Sequence, residues 1–258
     1  MFGSVGAPLR FLRRRWRFAL AAFLLVGGAV VTGGHAWAVH EWDKAHTALD
    51  EGRVDDALGH LRWCLRFWPR SAPTYLFAAR LERLALNFPA AAAYLKRCQQ
   101  LQGGPTEATQ AEWLCLRAEG GELDDLEPGL WKAVRAGGPF TTLYLEALAR
   151  ASFRLHRLSK VRLYVNLWME QDPSSVRALM FSAAVSELQF APQQAALAYQ
   201  KVLELQPQHW RARLQLANVY LRLPLTAPRE LVIRSLAVST NICIGAVLLG
   251  VPLPAGGQ

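Results

Sequence analysis

Few residues of this chain are candidates for catalysis or metal binding, and the clearest candidates are two pairs of adjacent acids. Asp55-Asp56 and Asp124-Asp125 each offer two carboxylates, the residue type that holds a divalent cation or forms a general acid–base pair. Both pairs stand at the same place in a repeating pattern, where a helix is predicted to begin. Because acids cap a helix N-terminus and complement its dipole, the recurrence favours a structural role over catalysis.

The histidines and cysteines form no recognisable metal site. None of the 6 His and 4 Cys lies in an H-E-x-x-H or C-x-x-C pattern, and no phosphate-binding glycine loop or nucleophile elbow is found. Cys64 and Cys98 stand at equivalent places in successive repeats, where helices are too far apart for a disulfide. We expect both to be small buried residues. The sequence predicts no catalytic residue, no metal ligand and no cofactor; an enzyme is the alternative that no motif supports.

The charge of the chain is concentrated at one end. The net charge is +9, and five arginines without any acid lie in the basic segment 1–17. Residues 18–39 contain no charged side chain, and as a helix they would be roughly 33 Å long, enough to cross a bilayer. Basic residues before an apolar segment predict a cytoplasmic N-terminus with the rest of the chain exported. The charge therefore signals topology, and we expect no nucleic-acid binding.

Two interpretations of residues 18–39 stay open. As an uncleaved anchor, the segment is a single transmembrane helix, and Trp37 and Trp42 suit the membrane interface. As a secretory signal, its apolar core of residues 18–31 precedes Ala36-Trp37-Ala38, which resembles a cleavage site after Ala38.

Small residues or prolines recur in groups of three, with twelve positions between the first and second and twelve between the second and third. The closing residues of five such units are separated by 34, 35, 35 and 34 positions. Each unit predicts two helices of about a dozen residues joined by a short turn, at which Gly52, Gly121, His156 or Phe190 stands. The five triples are Ala45/Ala57/Pro69, Ala79/Ala91/Gly103, Leu114/Leu126/Gly138, Ala149/Val161/Pro173 and Ala183/Ala195/Pro207.

This spacing resembles the tetratricopeptide repeat (TPR), a helix–turn–helix unit of 34 residues. The resemblance covers about residues 38–223, including a partial sixth unit with Leu216, Ala217 and Tyr220. The third unit departs from the pattern, since it has leucines at the small positions and Pro128 inside its presumed second helix. The resemblance implies an all-α, right-handed solenoid of helical hairpins with a concave groove that binds a protein or peptide partner.

The same resemblance points to groove residues on the first helix of each unit. The lysine and asparagine set with which some members grip a C-terminal carboxylate is not reproduced, apart from Asn218. An arginine-lined groove for an acidic or phosphorylated segment is the hypothesis, because guanidinium groups donate forked hydrogen bonds. The alternative is that an arginine-rich chain exposes Arg on every helix. The candidates are Arg80, Arg83, Arg150, Arg154, Arg177, Arg211 and Asn218.

Residues 224–258 break the repeat and turn apolar, which fits a capping or docking helix, a membrane contact or an irregular tail. The leading prediction is a membrane-anchored interaction scaffold, with a TPR-like solenoid of about five and a half units at residues 40–223 on the exported side. The alternatives are a secreted or periplasmic form after cleavage, and a structural subunit of an envelope assembly such as a pilus or secretion system. The sequence identifies neither the partner nor the oligomeric state.

Overall fold

The computed structural model describes residues 32–222, and the elements in this range are helices joined by short turns. The helices are 11 to 15 residues long after the first, as the periodicity predicts. They are α1 (residues 32–50), α2 (Val54–Phe67), α3 (Ala72–Leu84), α4 (Phe88–Gln102), α5 (Glu107–Arg117), α6 (Leu123–Ala136), α7 (Thr141–Arg154), α8 (Leu158–Gln171), α9 (Val176–Leu188), α10 (Pro192–Leu205) and α11 (Trp210–Arg222).

The turn inside each hairpin repeats with the period of the sequence. Residues 52, 86, 121, 156 and 190 all have a positive φ, and Leu86, His156 and Phe190 adopt it without being glycine. In four of the five turns the next residue donates its N–H to a carbonyl five positions back, as from Arg53 to Ala48 at 2.8 Å. This is the Schellman motif, which satisfies the last carbonyls of the first helix. The predicted turn positions are therefore confirmed.

Small residues let the two helices of a hairpin approach closely. Ala45, Ala57, Ala79 and Ala91 have no exposed surface. Cys64 and Cys98 are free and buried, and their thiols lie 3.4 Å and 3.3 Å from the carbonyl oxygens of residues 38 and 72. Since both contacts span 26 residues, they are one packing arrangement used twice. The expectation for these two cysteines is confirmed.

Prolines separate successive hairpins. Pro69, Pro173 and Pro207 each stand two residues after the last residue of α2, α8 and α10. Proline cannot continue a helix because it lacks an N–H and its ring clashes with the preceding turn. The chain then turns into the next first helix.

The third hairpin is built differently from the others, as its sequence indicates. A π-helical turn, Ala118–Glu122, connects α5 directly to α6, and Gly121 within it has a φ of 129°. Pro128 lies inside α6, where it removes one backbone donor from the helix. The fully buried small residue of α5 is Cys115, one position after the expected Leu114.

The chain forms two compact units, which meet in sequence between Ala151 and Ser152. In the first unit α2 packs on α3, α3 on α4 and α5, and α4 on α5. In the second unit α10 packs on both α9 and α11, and their core includes Ala183, Ala195 and Ala212. Packing between sequence neighbours is the behaviour of repeat proteins.

The predicted membrane segment falls mostly outside the described residues, as do residues 1–17 and 224–258. Its last part, residues 32–39, belongs to α1, which runs on without a break to residue 50. Between residues 32 and 222, none of the helices combines the length and the apolar character needed to cross a membrane.

Candidate partner-binding site

Three of the seven predicted groove residues lie in a cluster of arginines and glutamates in the first unit. Arg83 donates from Nε to Glu112 at 2.5 Å and from Nη1 to Glu119. Arg150 donates to the second oxygen of Glu119 at 3.0 Å. We call this the Arg–Glu cluster; its members are Arg80, Arg83, Arg150, Glu112, Glu119 and Glu146.

The cluster joins the first helices of three successive hairpins. Arg80 and Arg83 come from α3, Glu112 from α5, and Arg150 from α7, with Glu119 at the start of the π-helical turn. Arg80 donates to Glu146 at 3.0 Å, and Arg150 also donates to the Leu84 carbonyl at 2.9 Å. Hydrogen bonds that cross from α3 to α7 hold the successive hairpins of this unit in register.

Arg83 is the centre of the cluster and is fully buried. Burial by itself would lower the pKa of its guanidinium, but the charges of Glu112 and Glu119 outweigh burial and hold this pKa well above its ordinary value. Its Nη2 atom is buried without a hydrogen-bond partner. In this structure Arg83 therefore offers no atom to a partner protein.

The cluster holds three arginines and three glutamates, so its formal charges balance. The side chains of Arg80 and Arg150 are 30% and 24% exposed, and both are already paired with carboxylates. Each of these contacts uses only part of the guanidinium, since Arg80 donates from Nη2 and Arg150 from Nε and Nη2. The geometry thus gives these residues a role inside the first unit.

The other four predicted groove residues belong to the second unit. Arg154 and Arg211 are exposed, and Arg177 and Asn218 are half-buried. The guanidinium carbon of Arg177 lies 5.8 Å from the ring centre of Trp168, and that of Arg211 lies 5.4 Å from the ring centre of Trp210. Stacking on an aromatic face orients a guanidinium. Of the four residues, Arg154 and Arg211 are the ones most accessible from solvent.

The acid pairs stand at helix starts, and Cys64 is a buried thiol. Asp55-Asp56 and Asp124-Asp125 lie in the first turns of α2 and α6, as predicted, and Arg53 pairs with Asp56 at 2.7 Å. Within residues 32–222, no three His, Cys, Asp or Glu side chains come together as metal ligands would. Burial raises the pKa of the Cys64 thiol to about 11, which removes its nucleophilic form at neutral pH.

Sequence reasoning missed the carboxylates of the Arg–Glu cluster. A partial signal for two of them exists, because Glu112 and Glu146 are 34 positions apart, which is close to the length of one repeat. An acid that recurs at a core-facing position needs a buried cation, since an unpaired buried charge is costly. Glu119 carries no such signal, because it belongs to the irregular third hairpin.

Comparison with known proteins adds little to this description. No protein-family model matches the chain, and no curated protein matches it. Among solved structures the chain is similar to YrrB, described as a TPR protein with an unusual peptide-binding site. The sequences are 15% identical over 68% of this chain and 89% of YrrB, with a TM-score of 0.37. The class of the fold, all-α helical hairpins with a TPR-like period, therefore rests on the hairpins themselves.

Proposed function

We propose that this chain is a membrane-anchored scaffold that binds a segment of a partner protein on its helical hairpins and has no catalytic activity. The observation that carries the proposal is the alignment of first helices in the first unit, where α3, α5 and α7 meet at the Arg–Glu cluster. First helices that stand side by side form one continuous surface, which is the kind of surface that repeat proteins use for extended partners.

The second unit is the better place for the partner. Arg154 and Arg211 are exposed and Arg177 is half-buried, whereas Arg83 of the Arg–Glu cluster is fully buried. Arg177 on α9 and Arg211 on α11 occupy the first helices of successive hairpins and are both close to a tryptophan face. An acidic or phosphorylated segment suits this surface because forked guanidinium donors match carboxylate and phosphate oxygens.

Anchoring by residues 18–39 is the second part of the proposal, with the N-terminus cytoplasmic and the hairpins exported. Residues before the proposed cleavage site contact α2 and the residue that follows it: the Ala38 carbonyl accepts from the Cys64 thiol, and Trp68 Nε1 donates to His35 Nδ1 at 3.0 Å. Cleavage after Ala38 would remove these contacts from the folded chain, which supports an uncleaved segment. The mature N-terminal sequence tests this, and a protein that starts at Val39 would contradict the anchor.

Partner binding is tested with a photo-crosslinking amino acid placed at Arg211 in the membrane-bound full-length chain. We expect crosslinked partners at this position and none at Asn166, an exposed residue of the second helix α8 that serves as the control. Arg177→Glu should reduce the Arg211 crosslinks, because it places a like charge against an acidic partner. Equal crosslinking at the two positions, or no effect of Arg177→Glu, would contradict the assignment.

A further inference from the structure

The first hairpin has an end at which the chain enters from residues 18–31. Helices α1 and α2 run antiparallel, since Glu41 pairs with His60 at 2.6 Å and Cys64 contacts Ala38. A Cβ added at Gly34 would lie only 2.7 Å from the ring of Phe67. The N-terminal part of α1 therefore lies beside the C-terminal part of α2.

This end exposes three large aromatic side chains. Trp37, Trp63 and Phe67 are 52%, 48% and 44% exposed. Large aromatic side chains are normally buried or covered, because they carry much apolar area. We call this end the aromatic end; it comprises Trp37, Trp63, Phe67, Arg66 and Arg70.

Basic side chains accompany these aromatic ones. Arg66 and Arg70 are exposed, and the guanidinium carbon of Arg66 lies 5.8 Å from the ring centre of Trp63. Tryptophan with arginine is the combination typical of a membrane–water interface, where the ring sits at headgroup level and the cation meets lipid phosphate. The charge of the aromatic end is complementary to anionic lipid.

The length of the apolar segment brings the aromatic end to the membrane. Because Gly34 and Ala38 lie against α2, only residues 18–33 are available to cross the hydrocarbon layer. As a helix, these 16 residues would span about 24 Å, which is shorter than the roughly 30 Å of a typical bilayer core. Such a mismatch draws the flanking residues into the interface.

We propose that the aromatic end is seated in the headgroup layer of an anionic membrane, so that the first hairpin is held against the bilayer rather than suspended from a flexible tether. This inference rests on the proposed anchoring by residues 18–39. Its consequence is that the first hairpin stays at the membrane surface, because α1 begins at residue 32, within the proposed anchor.

The test uses the full-length chain in vesicles of phosphatidylcholine with or without phosphatidylglycerol. An environment-sensitive fluorophore is attached at Trp63→Cys, with Cys243→Ser in the background, and is quenched by a lipid that carries a nitroxide near its headgroup. The matched control is Trp210→Cys on α11, since Trp210 is 50% exposed and lies outside the first hairpin. The buried Cys64, Cys98 and Cys115 should not react, because burial raises the pKa of each thiol.

We expect quenching at position 63 that increases with phosphatidylglycerol, and little quenching at position 210. Arg66→Glu with Arg70→Glu should lower the ratio of seated to unseated hairpin by at least about fivefold, from the contribution of a single arginine near an anionic surface. Lys96→Glu with Arg97→Glu on α4 makes the same change in net charge and should leave the ratio unchanged.

Extraction with alkaline carbonate separates the two proposals. If the chain stays in the membrane but position 63 is quenched no more than position 210, the seating of the aromatic end is refuted and the anchor stands. If quenching at position 63 depends neither on phosphatidylglycerol nor on the arginine replacements, the aromatic end does not recognise an anionic membrane surface. Release of the chain by carbonate would refute the anchor and, with it, this inference.

Discussion

We expect replacement of Arg83 to lower the free energy of unfolding strongly, because Arg83 is the buried cation between two buried carboxylates. Arg83 is 0% exposed, Glu112 is 3% exposed and Glu119 is 1% exposed. Replacement Arg83→Met keeps much of the side-chain volume and removes the charge. Glu112 then loses the arginine that donates to it at 2.5 Å, whereas Glu119 keeps Arg150 at 3.0 Å.

Removal of one partner from a buried ion pair costs about 3–5 kcal/mol, mostly because the other charge stays buried and uncompensated. Since Glu119 keeps a second arginine, we expect a loss near the lower end of this range, about 3 kcal/mol in the free energy of unfolding. Arg117 and Glu122 provide the matched control, for they form an Arg–Glu pair in which both side chains are 50% exposed. Arg117→Met should cost much less, because water screens an exposed ion pair.

The assay is urea unfolding of the full-length chain in mild detergent, followed by tryptophan fluorescence. A triple variant, Arg83→Met with Glu112→Gln and Glu119→Gln, removes the buried charges together and should recover most of the lost stability, because replacing a whole buried ion pair is often close to neutral. If Arg83→Met costs no more than Arg117→Met, or the triple variant is less stable than the single one, the cluster is not a buried ionic contact and the reasoning is wrong.

Three further changes test other parts of the structure. Phe190 is 93% exposed with a φ of 54°, so Phe190→Gly should raise the free energy of unfolding by about 0.5–1 kcal/mol by relieving the left-handed backbone, and Phe190→Ala should not. The hydrogen bond from His60 lowers the pKa of Glu41 from 4.5, and this effect outweighs burial, which would raise the pKa. The unchanged protein should therefore melt at a higher temperature than Glu41→Gln from pH 7 down to about pH 4.5, and this difference should vanish below the lowered pKa. Gly33→Ala should stabilise α1 by up to about 1 kcal/mol because its added Cβ meets nothing within 4 Å, whereas Gly34→Ala, which displaces the Phe67 ring, should gain less in the same urea titration.

The hairpins could be predicted from sequence because their signals are local. Gly52 and His156 mark turns, and Pro173 ends a helix, through backbone preferences that act within a few residues. Ala57 and Ala91 mark close helix contacts because only a small side chain fits there. The third hairpin resisted prediction in detail, since a π-helical turn shifts its buried small residue from Leu114 to Cys115.

The burial and the partners of the arginines could not be predicted from the sequence. Arg83 and Arg211 look alike in a repeat pattern, yet one is buried between carboxylates and the other is exposed beside Trp210. The pairings that decide this join residues 29, 36 and 66 positions apart. No periodicity assigns such partners, because each depends on the rotation of one helix against another.

By itself the sequence determined the class of fold, the period, the turns and the apolar segment at residues 18–39, since each depends on residue type and short-range spacing. Only the tertiary structure decided that Arg80, Arg83 and Arg150 are paired inside the first unit, and that Gly34 and Ala38 lie against α2. The physical reason is that a buried charge pairs with the opposite charge that packing brings nearest, and a small residue packs against the ring that lies beside it. Both neighbours are known only once the helices are packed.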